Sequence, residues 1–338
     1  MLSARPTQHL NRFKDGARAK PAIAVALMPR VGLAAPRFAW FHPEKTGTSL
    51  GNSLVHIANP QLPANVSILS SCGPRGQRRP CRGTTDRFGQ DRYTYARWFP
   101  GVFWEKGGDF AKHVAVDDSV FAKWAGSFVG LFRDPARRAV SAYYHKYTGF
   151  CRSQQATRGA SATCMTLTPY ARFIEGQVAT LLACKVGRDP ATGRRYRRTN
   201  LFWCKRPHAD ALNVALKRLA SFSFVGLTDE FDVSVCLLHV MHRAPCRPVE
   251  LTNERPTDYR QRARAHGEAF QSVDELAQAL REKYVDPLDT PLYNMAVRRF
   301  EADIREHNVT QSACAQLRCA TSATTRYFDS RERLLSGK

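Results

Sequence analysis

The sequence predicts an α/β fold with a central parallel sheet and helices on both faces, three layers in all. Three observations predict it. A strand-like run passes into a helical one at residues 38–57, again at 127–146 and once more at 222–242. The middle run, Phe128-Val129-Gly130-Leu131-Phe132, is almost continuously apolar, as a strand buried on both faces should be. The chain has 338 residues, 43% of them hydrophobic, which is enough to bury one large core. A ligand of such a sheet belongs at the carboxyl ends of its strands.

The elements follow in order. Residues 1–35 start with Arg12, Lys14, Arg18 and Lys20, then run weakly apolar from Ala22 to Ala35, interrupted by Pro29-Arg30 and Gly32. They read as a poorly ordered stem or targeting remnant, because no run approaches the roughly 18 apolar residues of a membrane span. Phe38-Ala39-Trp40-Phe41 has strand character and turns through Pro43. A helix then starts at Thr48 or Ser49, with Leu50, Leu54 and Ile57 on its buried face. After the middle strand, Asp134 is placed to cap a helix and Pro135 to occupy its first turn. That helix turns Ala139, Val140, Tyr143 and Tyr144 inward, leaving Arg137, Arg138, Ser141 and His145 on other faces. Thr168-Pro169 opens a helix toward Leu182, and residues 208–220 form another with Leu212, Leu216 and Leu219 on one side. Ser272 and Glu275 make a capping box for a helix through Leu280. Thr290-Pro291 caps the last helix, through Ala296, Phe300 and Ile304.

Two of these junctions suit an anion. In His42-Pro43-Glu44-Lys45-Thr46-Gly47-Thr48-Ser49, backbone N–H groups and a helix N-terminus face the loop. Lys45 adds a full charge, and Thr46, Thr48 and Ser49 add hydroxyl donors. It is not a Walker A loop, because Lys45 precedes Gly47 where that motif needs lysine after its second glycine. At the second junction, Arg133 at the strand end and Ser141 two turns into the helix are spaced to reach one phosphate. Alone, the first segment could be an ordinary strand-to-helix turn with a stray lysine, and the second a surface Arg–Asp pair with a helix Ser of no consequence.

Together the two segments resemble the sulfotransferase superfamily that uses 3′-phosphoadenosine 5′-phosphosulfate (PAPS). HPEKTGTS looks like the family's 5′-phosphosulfate loop, and Arg133-Asp134-Pro135 through Ser141, Tyr143 and His145 looks like its 3′-phosphate motif. Glu44 departs from the pattern, replacing the usual proline before the family lysine; a carboxylate beside an anion site is expected to point away from it. Phe222-Ser223-Phe224-Val225-Gly226-Leu227-Thr228-Asp229-Glu230-Phe231-Asp232 is similar to a later segment of the family, and the helix from Pro291-Leu292-Tyr293 to Phe300 to the closing helix of carbohydrate-type members. The resemblance spans residues 36–306 and leaves 307–338 as a C-terminal extension. It implies a P-loop-like fold, PAPS as sulfate donor and no metal.

The resemblance implies roles for particular residues. Lys45, Thr46, Gly47, Thr48 and Ser49 would hold the leaving phosphate where its negative charge grows. Arg133 and Ser141 would hold the 3′-phosphate. The acceptor hydroxyl needs a general base, and His113, in Gly107-Gly108-Asp109-Phe110-Ala111-Lys112-His113, looks like the histidine segment of carbohydrate and algal-type members. A histidine's ordinary pKa suits that work. Glu105 and Asp109 are the alternatives. His145 reads as a helix-end residue whose charge suits the dipole. A nucleotide kinase would need a Walker A loop and a Mg²⁺-binding carboxylate, and neither is apparent. A noncatalytic binder of polyanions would explain the charge but not the two ordered motifs.

Charge and cysteine describe partners and compartment. The net charge is +22, from 51 Lys and Arg against 29 Asp and Glu. Arg75, Arg78, Arg79, Arg82, Arg87, Arg92 and Arg97 concentrate it in one section, with Tyr93, Tyr95 and Trp98 between them. Arg188, Arg194, Arg195, Arg197, Arg198, Lys205 and Arg206 form the other. Such loops hold polyanions, so an acidic glycan acceptor is expected and no nucleic-acid module accompanies them. Ten cysteines fall as neighbours: Cys72/Cys81, Cys151/Cys164, Cys184/Cys204, Cys236/Cys246 and Cys314/Cys319. An even number at short separations without zinc spacing predicts local disulfides, including a small loop in the C-terminal extension. Asn65-Val66-Ser67 and Asn308-Val309-Thr310 are glycosylation sequons. These features predict a glycoprotein of the secretory lumen, the Golgi above all. Membrane association would need an anchor these residues do not show.

Overall fold

The computed structural model describes residues 38–65, 67, 113, 115–145, 165–184, 210–253, 257, 259–260 and 272–336. All lie in one compact unit, Ala34–Lys338. Among them three strands form a parallel sheet: β1 (Ala39–Phe41), β2 (Phe128–Phe132) and β3 (Phe224–Leu227), with β2 in the centre. Trp40 pairs with Val129, and Val129 with Phe224. Every residue of the three strands is buried, which is what their unbroken apolar runs predict.

Helices close around the sheet. α1 (Leu50–Ala58) follows β1, and α2 (Asp118–Lys123) precedes β2 with Asp117 accepting from Val120 N–H as its cap. α3 (Pro135–His145) follows β2, and the Asp134 carboxylate accepts from Arg137 N–H at 2.9 Å, as the sequence requires. α4 (Leu167–Phe173) and α5 (Gln177–Leu182) replace the single helix expected after Thr168-Pro169. The break lies at Gly176, whose φ of 61° is left-handed and cannot continue a right-handed helix. α6 (Ala211–Ala220) precedes β3, and α7 (Phe231–His242) follows it. α8 (Val273–Arg281) has the capping box of Ser272 and Glu275. α9 (Asp289–Glu306) starts just before Thr290-Pro291.

α9 is not the last helix. α10 (Gln311–Gln316) and α11 (Ser322–Ser336) pack back on α7. Disulfides tie this extension to the body: Cys236 bonds Cys314, and Cys246 bonds Cys319. That corrects the neighbour pairing of Cys236 with Cys246 and of Cys314 with Cys319, and with it the small loop of the extension. Spacing favours short loops, but the return of α10 onto α7 decides which sulfurs meet. Cys184 is disulfide-bonded as well. The remaining cysteines, both Arg-rich sections and residues 1–35 lie outside the described residues. No described helix is long and apolar enough to cross a membrane.

The core has two clusters. One surrounds the sheet and includes α1, α6, α7 and α9. The other joins α3, α4 and α8 through Ala139, Tyr143, Tyr170, Ile174 and Leu280. Arg138, expected on another face of α3, is a core residue, 1% exposed. Its guanidinium donates to Asp289 Oδ2 at 3.0 Å and to Gln177.

Candidate functional site

The three strands deliver their following loops to one place. At the end of β1 the chain turns at Pro43, where the carbonyl accepts from Thr46 Oγ1 at 2.8 Å. Lys45 then takes a left-handed φ of 65° and Gly47 a φ of 99°. A Cβ on Gly47 would lie 2.8 Å from Leu131 Cδ1, so the loop needs glycine there for backbone and space alike. Thr48 O and Ser49 O accept from Gly51 N–H and Asn52 N–H, which starts α1 with its N-terminal N–H groups toward the loop.

The end of β3 braces this loop. Thr228 Oγ1 donates to Thr46 O at 2.8 Å. The end of β2 braces it from the other side, where Arg133 Nη1 donates to Lys45 O at 3.3 Å. Asp229 then holds both arginines of this corner, Arg137 at 2.8 Å and Arg133 at 3.7 Å. Arg137 also pairs with Asp274, so Asp229 is shared at the longer distance with Arg133, whose guanidinium still lines the cavity.

A cavity of about 330 Å³ opens between these loops. Lys45, Gly47, Thr48, Ser49, His113, Arg133, Ser141, His145, Thr228, Asn253, Thr257 and Tyr259 line it. Its size suits a small ligand. Seven of the eight residues singled out in the sequence therefore share one cavity. Thr46 does not line it: its side chain is buried on Pro43 O, and its part is to shape the turn.

His113 comes to the cavity from outside the sheet. Its Nδ1 lies 2.8 Å from His42 O. A carbonyl can only accept, so Nδ1 carries the proton, and in the neutral ring Nε2 is left as the basic nitrogen. The His42 ring, stacked on Trp40 at 4.4 Å, lies 5.1 Å from the His113 ring and backs it. The alternatives Glu105 and Asp109 are outside the described residues.

Five lining residues escaped the sequence reading. His145 closes the 3′-phosphate-like segment and has a charge that suits the helix dipole, but it also lies four positions after Ser141 on the same face of α3, and that spacing is the signal for its place in the cavity. Thr228 follows β3 directly and was legible by its strand-end position. Asn253, Thr257 and Tyr259 had no signal. Tyr259 donates its hydroxyl to Ser141 Oγ at 3.1 Å and packs edge-on to Tyr144. Thr257 Oγ1 lies 3.5 Å from Lys45 Nζ.

Glu44 points away from the cavity, as expected of a carboxylate beside an anion site. It is 9% exposed and does not line the cavity. Burial pushes its carboxyl above the ordinary range, while Arg138, Gln177 and Lys45 pull it back.

Among the described residues His239, Cys246 and Cys319 cluster closely enough to suggest a metal site. The two sulfurs are bonded to each other, and His239 is held by Glu250 and by Ala244 O at 2.9 Å. That cluster is a structural staple. Comparison with family models, curated proteins and solved structures finds no match to this chain.

Proposed function

We propose that the protein is a sulfotransferase that moves the sulfuryl group of PAPS to a hydroxyl of an acidic carbohydrate. One observation carries the reading: two strand-end motifs more than 80 residues apart, Lys45–Ser49 and Arg133–Ser141, line a single cavity with His113. The residues fit the donor's two anionic ends. Lys45, Gly47, Thr48 and Ser49 supply a charge, a close backbone approach and hydroxyls for the 5′ end. Arg133 and Ser141, with Tyr259 on Ser141, supply the 3′-phosphate end.

In the reaction the acceptor oxygen bonds to sulfur as the bond from sulfur to the bridging phosphate oxygen breaks. The electron pair leaves with adenosine 3′,5′-bisphosphate, where Lys45 and the loop N–H groups meet the growing charge. The acceptor's proton passes to His113 Nε2. Lys45 and His113 are thus the catalytic pair, and no step requires a metal.

Two disulfides in the described fold are compatible with an oxidising compartment. We place the protein in the secretory lumen, in the Golgi, on a route along which the two sequons would be glycosylated before arrival. Asn308 is exposed in the turn after α9, with φ of 48°. The acidic acceptor rests on the net charge of +22 and the two Arg-rich sections.

Calorimetry with adenosine 3′,5′-bisphosphate tests the donor site. Binding in preference to ATP with Mg²⁺ supports the reading, a preference for the latter favours a kinase, and no nucleotide selectivity favours a plain polyanion binder. Transfer of radiolabelled sulfate across acidic glycans, neutral glycans, protein tyrosines and phenols then identifies the acceptor.

A further inference from the structure

Two successive residues at the end of β3 meet the two anion motifs. Thr228 Oγ1 donates to Thr46 O in the anion loop at 2.8 Å. Asp229 turns to the other motif, with its Oδ1 3.7 Å from Arg133 Nε. The same oxygen accepts from Arg137 Nη1 at 2.8 Å. The side chains of Arg133 and Asp229 are only 15% and 16% exposed, so water and salt screen their attraction less than on an open surface.

The carboxylate is itself held in place. Arg137, which grips Oδ1, reaches with Nη2 to Asp274 in the first turn of α8. Arg281, the last residue of α8, pairs with Asp134 at 3.0 Å. Two ion pairs thus join α8 to the head of α3, and Arg137 links them to Asp229. Arg133 is held in turn by two of its nitrogens. Nη1 donates to Lys45 O at 3.3 Å, and Nε faces Asp229. Nη2 has no partner among the described residues, and the side chain lines the cavity. By its charge alone, a carboxylate this close to a phosphate site opposes the ligand. A guanidinium, however, binds phosphate through a planar fork that must be aimed, and a fixed carboxylate behind it can aim it.

We infer that Asp229 is a positioning residue for the 3′-phosphate, whose Oδ1 turns Arg133 so that the Nη2 edge faces the ligand. The inference rests on the proposed donor site. Its effect falls on the 3′ end of the donor, where Arg133 stands; the anion loop is met by Thr228 instead.

The test is calorimetry on the full chain with adenosine 3′,5′-bisphosphate and adenosine 5′-monophosphate, whose affinity ratio reports the 3′-phosphate alone. Asp229→Asn keeps an acceptor for Arg137 and removes the charge. Loss of the charge alone would raise the ratio, because a repulsion disappears. Loss of positioning should lower it by about fivefold, the scale of one net hydrogen bond. Asp229→Glu keeps the charge and carries it one methylene farther, so charge alone would leave the ratio at its wild-type value, whereas misplacement should lower it. Arg133→Met should remove most of the ratio, and neither Asp229 substitution should lower it further in that background. Both ligands are titrated on one sample, so an unfolded fraction cancels from the ratio. A ratio that holds or rises in either Asp229 variant, or that falls as far without Arg133, overturns the inference. A wild type that binds the two nucleotides alike, or neither, overturns the donor-site reading instead.

Discussion

Two cavities lie against helix α3, and the helix treats its arginines differently on each. The polar one, described above, takes Ser141 and His145 from α3. The other, about 190 Å³, is lined mainly by apolar groups, Pro135, Ala136, Ala139, Ile174 and Leu280, with Arg138 at its wall. Arg133 stands at the rim of the polar cavity and shares Asp229 with Arg137. Arg138 is sealed, and Asp289, itself buried, answers its charge. The same side chain thus does opposite work. Arg133 lies 3.7 Å from its carboxylate and lines a cavity, where it can meet a ligand; Arg138 lies 3.0 Å from a buried carboxylate that also takes two helix N–H groups, and there the arginine binds the fold together.

That contrast gives its sharpest test at His113. Replacement by Ala should cut turnover by about 10²–10⁴-fold, the usual share of a general base. Binding of adenosine 3′,5′-bisphosphate and resistance to urea should stay near wild type. Turnover retained, with a pH–rate profile of unchanged shape, would move the role to Glu105 or Asp109.

Across α3 the pattern should invert. Arg138→Met leaves Asp289 buried without its cation, and breaking such a pair costs about 3–5 kcal/mol. Urea unfolding should show that loss, while the protein that remains folded should retain its kcat with saturating donor. A loss under 1 kcal/mol would mean that solvent reaches the pair, and the contrast between the two sides would fail.

Lys45→Ala returns to the polar side with a smaller expected effect. Turnover should fall by about 10²–10³-fold, the scale of one lost electrostatic donor at a developing charge. Stability should hold, because alanine takes the left-handed φ no better and no worse than lysine. Wild-type turnover with PAPS saturating would show that Lys45 does not meet the leaving phosphate.

Much of this was legible because it is local. The strand ends, the Asp134-Pro135 start of α3 and the capping box of α8 depend on neighbours a few residues apart. The anion loop was legible for the same reason. What could not be read depends on partners distant in the chain. A helical wheel puts Arg138 on a polar face, and its burial follows from Asp289, 151 residues on. The disulfides follow from the return of α10 to α7, which no cysteine spacing encodes. Thr257 and Tyr259 belong to no periodic run, so only the fold brings them to Lys45 and Ser141.

Tyr259 offers the finest resolution of the polar side. Its hydroxyl donates to Ser141 Oγ at 3.1 Å, and its ring rests edge-on against Tyr144. Tyr259→Phe keeps the ring contact and removes only the donor. Ser141 keeps its own proton and is then free to turn it toward a phosphate without the tyrosine to orient it. A single neutral hydrogen bond contributes about 1 kcal/mol, so affinity for adenosine 3′,5′-bisphosphate should fall by about fivefold. The loss should appear equally with adenosine 3′-monophosphate, because both ligands carry the phosphate that Ser141 meets. Adenosine 5′-monophosphate should bind the variant and the wild type alike. A loss seen with the 5′-monophosphate instead would place Tyr259 at the Lys45 end of the cavity and exchange the two ends of the donor.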